Sequence, residues 1–215
     1  MNDATTHPEE APALPPEHPT ARSFEGFSEI TSFIWSVADL LRGDYKQSEY
    51  GKVILPLTVL RRLDCVLERT KDKVLKVHAE NKALKGNALD KLLTRTTKVS
   101  FYNTSKLTFD KLKDDPNHIA QNLNGYIKGF SENARDLFIQ RFKFTEQVTR
   151  LDDADLLYQV VQKFAEVDLH PKVVPNHVMG SIFEELIRRF SEQSNETAGE
   201  HFTPREVIRL MVNLL

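Results

Sequence analysis

The feature that most constrains this chain is a run of apolar residues between Tyr50 and Leu67 that repeats at one interval only. Tyr50, Val53, Ile54, Leu57, Leu60 and Leu67, with Asp64 on the same face, keep a period near 3.6 residues across Pro56. A proline inside such a run deletes one ladder hydrogen bond. The period survives on both sides, so the spacing predicts a bent helix rather than a broken one. The tract beyond keeps helical character, and the expectation is one long helix over about 48–85, ended by Gly86-Asn87. One turn past the proline lie Arg61 and Arg62, with Arg61 spaced to pair with Asp64 or Glu68.

The same period recurs elsewhere. Ile30, Phe33, Ile34, Val37, Leu40 and Leu41 form a broad stripe over 28–42 that Gly43 ends, with Trp35 at its edge as a core-rim residue. A short helix is expected over 88–93. Residues 94–113, rich in Thr and Ser, read as a loop or short strand pieces anchored by Phe101 and Tyr102. Asp115 and Pro116 open a helix that buries Ile119, Leu123, Tyr126, Ile127 and Phe130. An amphipathic piece over 134–142 follows, then a helix opening at Leu151-Asp152-Asp153 with Leu156, Leu157, Val160, Val161 and Phe164 inward. The proline-containing stretch 167–176 is the expected domain boundary. Beyond it a helix over 177–190 carries Ile182, Phe183, Leu186, Ile187 and Phe190, and a polar loop follows over 191–197. Residues 1–22, with five prolines and no apolar period, read as a disordered tail.

Charge is distributed unevenly. The net value of −2 hides −6 over residues 1–45, +9 over 46–113 and −5 over 114–215. Basic charge gathered in one third of a chain is a plausible phosphate-facing footprint, which the whole-chain pI near 6.4 conceals. Arg62, Lys71, Lys73 and Lys76 are the candidate DNA contacts, against the plainer reading of a solvated helix face. One cysteine, Cys65, excludes an intrachain disulfide framework and a cysteine-built zinc site. No apolar run approaches membrane-spanning length and no signal core opens the chain, so the cytoplasm is the expected compartment.

The last nineteen residues, TAGEHFTPREVIRLMVNLL, contain the sharpest local signal. Thr203 suits an N-cap, Pro204 suits the first helical position, and Glu206 completes a capping box. Val207, Leu210, Met211 and Leu214 then form an apolar stripe. GEHFTPREVIRLMV resembles the segment before the catalytic core in the methyltransferase (modification) subunits of type I restriction-modification systems. Met179 to Leu186, Ile34 to Gly43 and Ile54 to Leu63 resemble further blocks of that family, in its order.

The resemblance implies transfer of a methyl group from S-adenosylmethionine to the N6 of adenine in double-stranded DNA. It implies that Glu200, His201, Phe202, Thr203, Pro204 and Arg205 form one wall of the cofactor site. A helix N-terminus offers free N–H groups there to the cofactor carboxylate. It implies as partners a specificity subunit, a second methyltransferase subunit and a restriction subunit. The family's glycine-rich cofactor block and its N-P-P-F catalytic block do not occur in these 215 residues. The expectation is therefore a mostly α chain: an all-helical domain over 23–170, then the first helices of a truncated α/β methyltransferase domain over 176–215, inactive by itself. The competing reading is a non-catalytic helical module for docking or DNA binding.

Overall fold

The computed structural model describes residues 26–193. The tail expected over 1–22, the segment Glu200 to Arg205 and the helix opened by Thr203-Pro204 lie outside the described residues.

Eleven α-helices follow one another among the described residues: α1 Phe27–Trp35, α2 Val37–Leu40, α3 Gly51–Leu67, α4 Lys71–Glu80, α5 Asn87–Thr97, α6 Phe109–Leu112, α7 Ile119–Lys128, α8 Glu132–Asp136, α9 Phe144–Asp153, α10 Leu157–Ala165 and α11 Asn176–Gln193. Two isolated bridges, including Asn103 with Phe130, are the only extended pairing in that region. The mostly α class is thus observed.

The pivot is α3. Its period does run unbroken through Pro56, and it buries most of its circumference, including Ile54, Leu57, Leu60, Asp64 and Cys65, with Leu55, Val59 and Leu63 half-buried on the remaining face. α9, α10, α11 and α1 pack around it, and α10 in turn covers α6, α7 and α2. One continuous hydrophobic core results, from Ile30 in α1 to Phe190 in α11.

Several boundaries differ from the periodicity. The helix expected over 48–85 is two helices, because the 3-10 turn Glu68–Thr70 interrupts it and the Thr70 hydroxyl takes the Leu67 carbonyl at 3.0 Å. At Ser36 the same competition divides the first stripe, with the hydroxyl 2.6 Å from the Phe33 carbonyl oxygen. α5 outruns its expected end at 93 and stops where Lys98 turns left-handed, at φ 60°. Leu151 to Asp153 close α9 instead of opening the next helix, and Asp155, at φ 55°, makes the turn into α10.

The loop after α5 is anchored, as the aromatic pair suggested, by Tyr102, whose hydroxyl donates to Asp90 Oδ1 at 2.7 Å. It crosses the end of α7 so closely that a Cβ at Gly129 would stand 2.7 Å from Asn103 Oδ1. Only glycine fits that crossing.

The stretch 167–176 is bridged by packing. The sequence places a domain boundary there, between 23–170 and 176–215. In packing terms α11 crosses it. Ile182 and Leu186 are fully buried against α1 and α3, and Phe190 lies 5.1 Å from Trp35, ring to ring. Local composition reports a proline-bearing turn there and nothing about what the next helix packs on.

Candidate nucleic-acid interface

α4 and α5 form a two-helix arm. They pack chiefly on each other and on the turn that joins α4 to α3. Each needs only one narrow apolar strip: Val74 for α4, Leu93 and Thr97 for α5. The remaining surface of the arm is cationic, and residues 69–98 contain nine basic and three acidic side chains. Lys73, Lys76, Lys82, Lys85, Lys91 and Arg95 are all exposed, and none forms an ion pair among the described residues. A net excess of positive charge gathered on one pair of helices attracts polyanions.

Of the four candidate contacts, Lys73 and Lys76 lie on this exposed face. Arg62 and Lys71 do not, since both are buried. Arg62 is 8% exposed and donates to the carbonyls of Leu169 and Val174 and to Asn176 Oδ1, so its charge is spent inside the protein. Lys71 is 9% exposed at the root of the arm. Its Nζ lies 3.4 Å from Asn103 Oδ1 and 5.3 Å from the centre of the Tyr126 ring. A signal for Lys71 existed, since it falls at i+4 from Leu67 and i−3 from Val74, in phase with the apolar stripe. Counting charge ignores that phase.

Lys71 borders a cavity of about 100 Å³ lined by Arg61, Asp64, Leu67, Glu68, Thr108 and Tyr126. Below it is a saturated polar network. Arg61 Nη1 donates to Asp64 Oδ2 at 2.9 Å, the pairing expected from the sequence. The Tyr126 hydroxyl donates to Asp64 Oδ1 at 2.7 Å, and the Phe109 amide to Oδ2 at 3.4 Å. Every lone pair of consequence on Asp64 is occupied, which is what lets a carboxylate persist in a core. Sequence reasoning saw Arg61 with Asp64 and missed Tyr126, 62 residues away.

Burial pushes the Lys71 ammonium down to about pKa 8 from 10.5, with Lys111 adding to it and Asp64 opposing. Folding therefore strips a proton that the unfolded chain keeps between pH 8 and 10.5. The destabilising contribution of Lys71 should therefore fade with rising pH across that window, while below pH 8 both states are charged and the full cost of burial is present. Lys71→Met is expected to raise the unfolding free energy at pH 7 by up to about 3 kcal/mol, with the gain shrinking as pH climbs towards 9.5. The check is the difference between wild type and variant in urea melts from pH 7 to 9.5, in which the opposing ionisations of Cys65 and Tyr126 in the unfolded chain cancel. A difference independent of pH would contradict the assignment.

No group of His, Cys, Asp and Glu among the described residues is arranged to hold a metal ion. No helix among them is long and apolar enough to cross a membrane.

A central helix, a covering layer of helices and a basic two-helix arm make residues 26–164 an all-helical fold. Residues 30–164 match the HsdM N-terminal domain, and the chain belongs to that family. Residues 174–215 match the start of the N-6 DNA methylase family. The two matches divide where the sequence does, although the core runs across the division. The methylase subunit of the type I restriction enzyme MjaIX, from Methanocaldococcus jannaschii, is 24% identical over 204 residues, covering 89% of this chain and 36% of that protein. The methylase subunit of the type I restriction enzyme EcoEI, from Escherichia coli, is 30% identical over 112 residues, covering 52% and 22%. The chain thus spans about a third or less of the length of these relatives.

Proposed function

We propose that this chain is the N-terminal, DNA-clamping region of a cytoplasmic type I restriction-modification methyltransferase subunit, one that methylates adenine N6 in double-stranded DNA from S-adenosylmethionine. The observation that supports the reading best is the order of the two family matches, helical domain and then methylase start, along one chain. In this reading Glu200, His201, Phe202, Thr203, Pro204 and Arg205 make one wall of the cofactor site. A specificity subunit, a second methyltransferase subunit and a restriction subunit complete the assembly.

The α4–α5 arm holds duplex DNA by its phosphates. Six exposed cations without ion-pair partners among the described residues support this assignment. Arg62 and Lys71 are left out of it because both are buried. Phosphate contacts position a protein without reading bases, and each displaces condensed counterions.

Replacing Lys73 and Lys76 together by alanine is expected to weaken binding to cognate and non-cognate duplexes by similar factors. It should also flatten the slope of log K against log salt by up to about 0.9 for each phosphate no longer neutralised. The measurement is a fluorescence titration at several salt concentrations on the methyltransferase assembled with its specificity subunit. Lys71→Met serves as the control, changing stability and leaving the slope alone. Unchanged affinity and slope in the Lys73/Lys76 variant would return both lysines to an ordinary solvated face.

A further inference from the structure

Two adjacent arginines of α3 reach across more than a hundred residues of sequence to hold one short piece of backbone. Arg61 donates from Nε to the Val167 carbonyl at 2.8 Å and from Nη2 to the Ala165 carbonyl at 3.1 Å. Arg62 donates from Nη1 to the carbonyls of Leu169 and Val174, the latter at 2.7 Å, and from Nη2 to Asn176 Oδ1 at 2.7 Å. These acceptors span the whole connection from the end of α10 to the first residue of α11. Both guanidinium groups are buried, which makes such charge-assisted bonds strong and their loss costly.

The far end of α11 is held as firmly. Phe190 packs on Trp35 with ring centres 5.1 Å apart, and the Arg189 guanidinium lies 5.5 Å from the centre of the Trp35 ring. Gly51, at the start of α3, lets Phe190 approach: a Cβ there would stand 3.3 Å from its Cδ2. α3 therefore holds the start of α11 through Arg62 and, together with α1, its far end. The basic arm also grows directly from the C-terminal end of α3, since only the turn Glu68–Thr70 separates Leu67 from Lys71.

We infer that α11 is a fixed strut and not a tether, that Arg62 is the positioning residue at its origin, and that α3 is the common frame from which both the DNA arm and the methylase segment are carried. The consequence for methyl transfer rests on the function proposed above. In that setting, DNA held on the arm is presented in register with α11, over which the methylase match runs. A hinge at 167–176 would instead let the two sides move independently.

Trp35 is the only tryptophan of the chain, so its quenching by acrylamide reports whether α11 is docked. Lysine cannot bond three acceptors in two directions as the planar guanidinium does. In the 215-residue chain, Arg62→Lys is expected to raise the Trp35 quenching constant about twofold or more at temperatures well below the melting midpoint, as local release precedes global unfolding. In an enzyme with the complete catalytic domain, the variant is expected to lower kcat for adenine methylation about tenfold or more, with DNA affinity within about twofold of wild type. Should Arg62→Lys fail to fold, Asn176→Ala, at an exposed position, is read for the same two changes in the same direction.

A merely stabilising Arg62 would lower the midpoint and leave native quenching unchanged, and that result overturns the strut. Raised quenching with undiminished kcat overturns the positioning role. A wild-type enzyme that transfers no methyl group to DNA would sink the functional reading, while the Trp35 measurement would still decide the strut.

Discussion

Asp64→Ala is expected to destabilise the protein by about 3–5 kcal/mol, the usual cost of removing one partner from a buried ion pair. Three donors converge on this carboxylate: Arg61 Nη1, the Tyr126 hydroxyl and the Phe109 amide. Alanine would deprive all three of that acceptor. It would also leave the Arg61 guanidinium, 4% exposed, with only carbonyl partners. Asp64→Asn should cost less, because its amide oxygen still accepts one of these bonds while its NH2 faces donors. The check is urea denaturation at pH 7, with Tyr126→Phe and the double variant completing a cycle. Coupling between Asp64 and Tyr126 of about 1 kcal/mol or more is expected, as for a hydrogen bond to a charged group. A loss below about 1 kcal/mol for Asp64→Ala would show that the site relaxes or admits water, and the network as described would be wrong.

A larger effect is expected from shortening the chain to end at residue 170. Such a chain loses α11 and, with it, two of the three acceptors of Arg62, the Val174 carbonyl and Asn176 Oδ1. Ile182 and Leu186 are fully buried and Met179 nearly so, and Phe190 closes over Trp35. Burial of each side chain of this size is worth about 1.5–3 kcal/mol. Their joint removal approaches the whole stability of an ordinary domain, about 5–15 kcal/mol. Arg62 would also keep its charge without Val174 and Asn176. Residues 23–170 are therefore expected to lack a cooperative thermal transition, while a chain extended to residue 193 regains it. Calorimetry on the two lengths makes the comparison. A sharp transition in the shorter chain, at a midpoint near that of the longer, would restore the boundary that the sequence suggests at 167–176.

That boundary illustrates how far sequence reasoning reaches. A helix is legible when its buried face is apolar and periodic, because the period is a property of consecutive residues. The stripes over Tyr50 to Leu67, Ile119 to Phe130 and Ile182 to Phe190 were visible for that reason, and each is a helix or the main part of one. Helix ends were less legible. At Ser36 and Thr70 a hydroxyl competes for a backbone carbonyl, a contest of small energies that the stripe does not record. The family blocks were readable as strings, and so was the asymmetry of charge that marks residues 46–113.

By itself, then, the sequence determined the helices, the basic third and the kinship, all of which depend on local order along the chain. Only the tertiary structure decided which of the cations meet solvent. Lys73 and Lys76 face outward, whereas Lys71 turns beneath the arm towards Tyr126 and Arg62 secures a stretch of backbone more than a hundred residues away. Formal charge is carried by a residue, but its direction is set by helix phase and by the partners that packing brings near. The same holds for α11, whose apolar face was plain in the sequence. That it lies on α1 and α3, clamped by Arg62 and packed on Trp35, follows from contacts between distant parts of the chain, which no local pattern encodes.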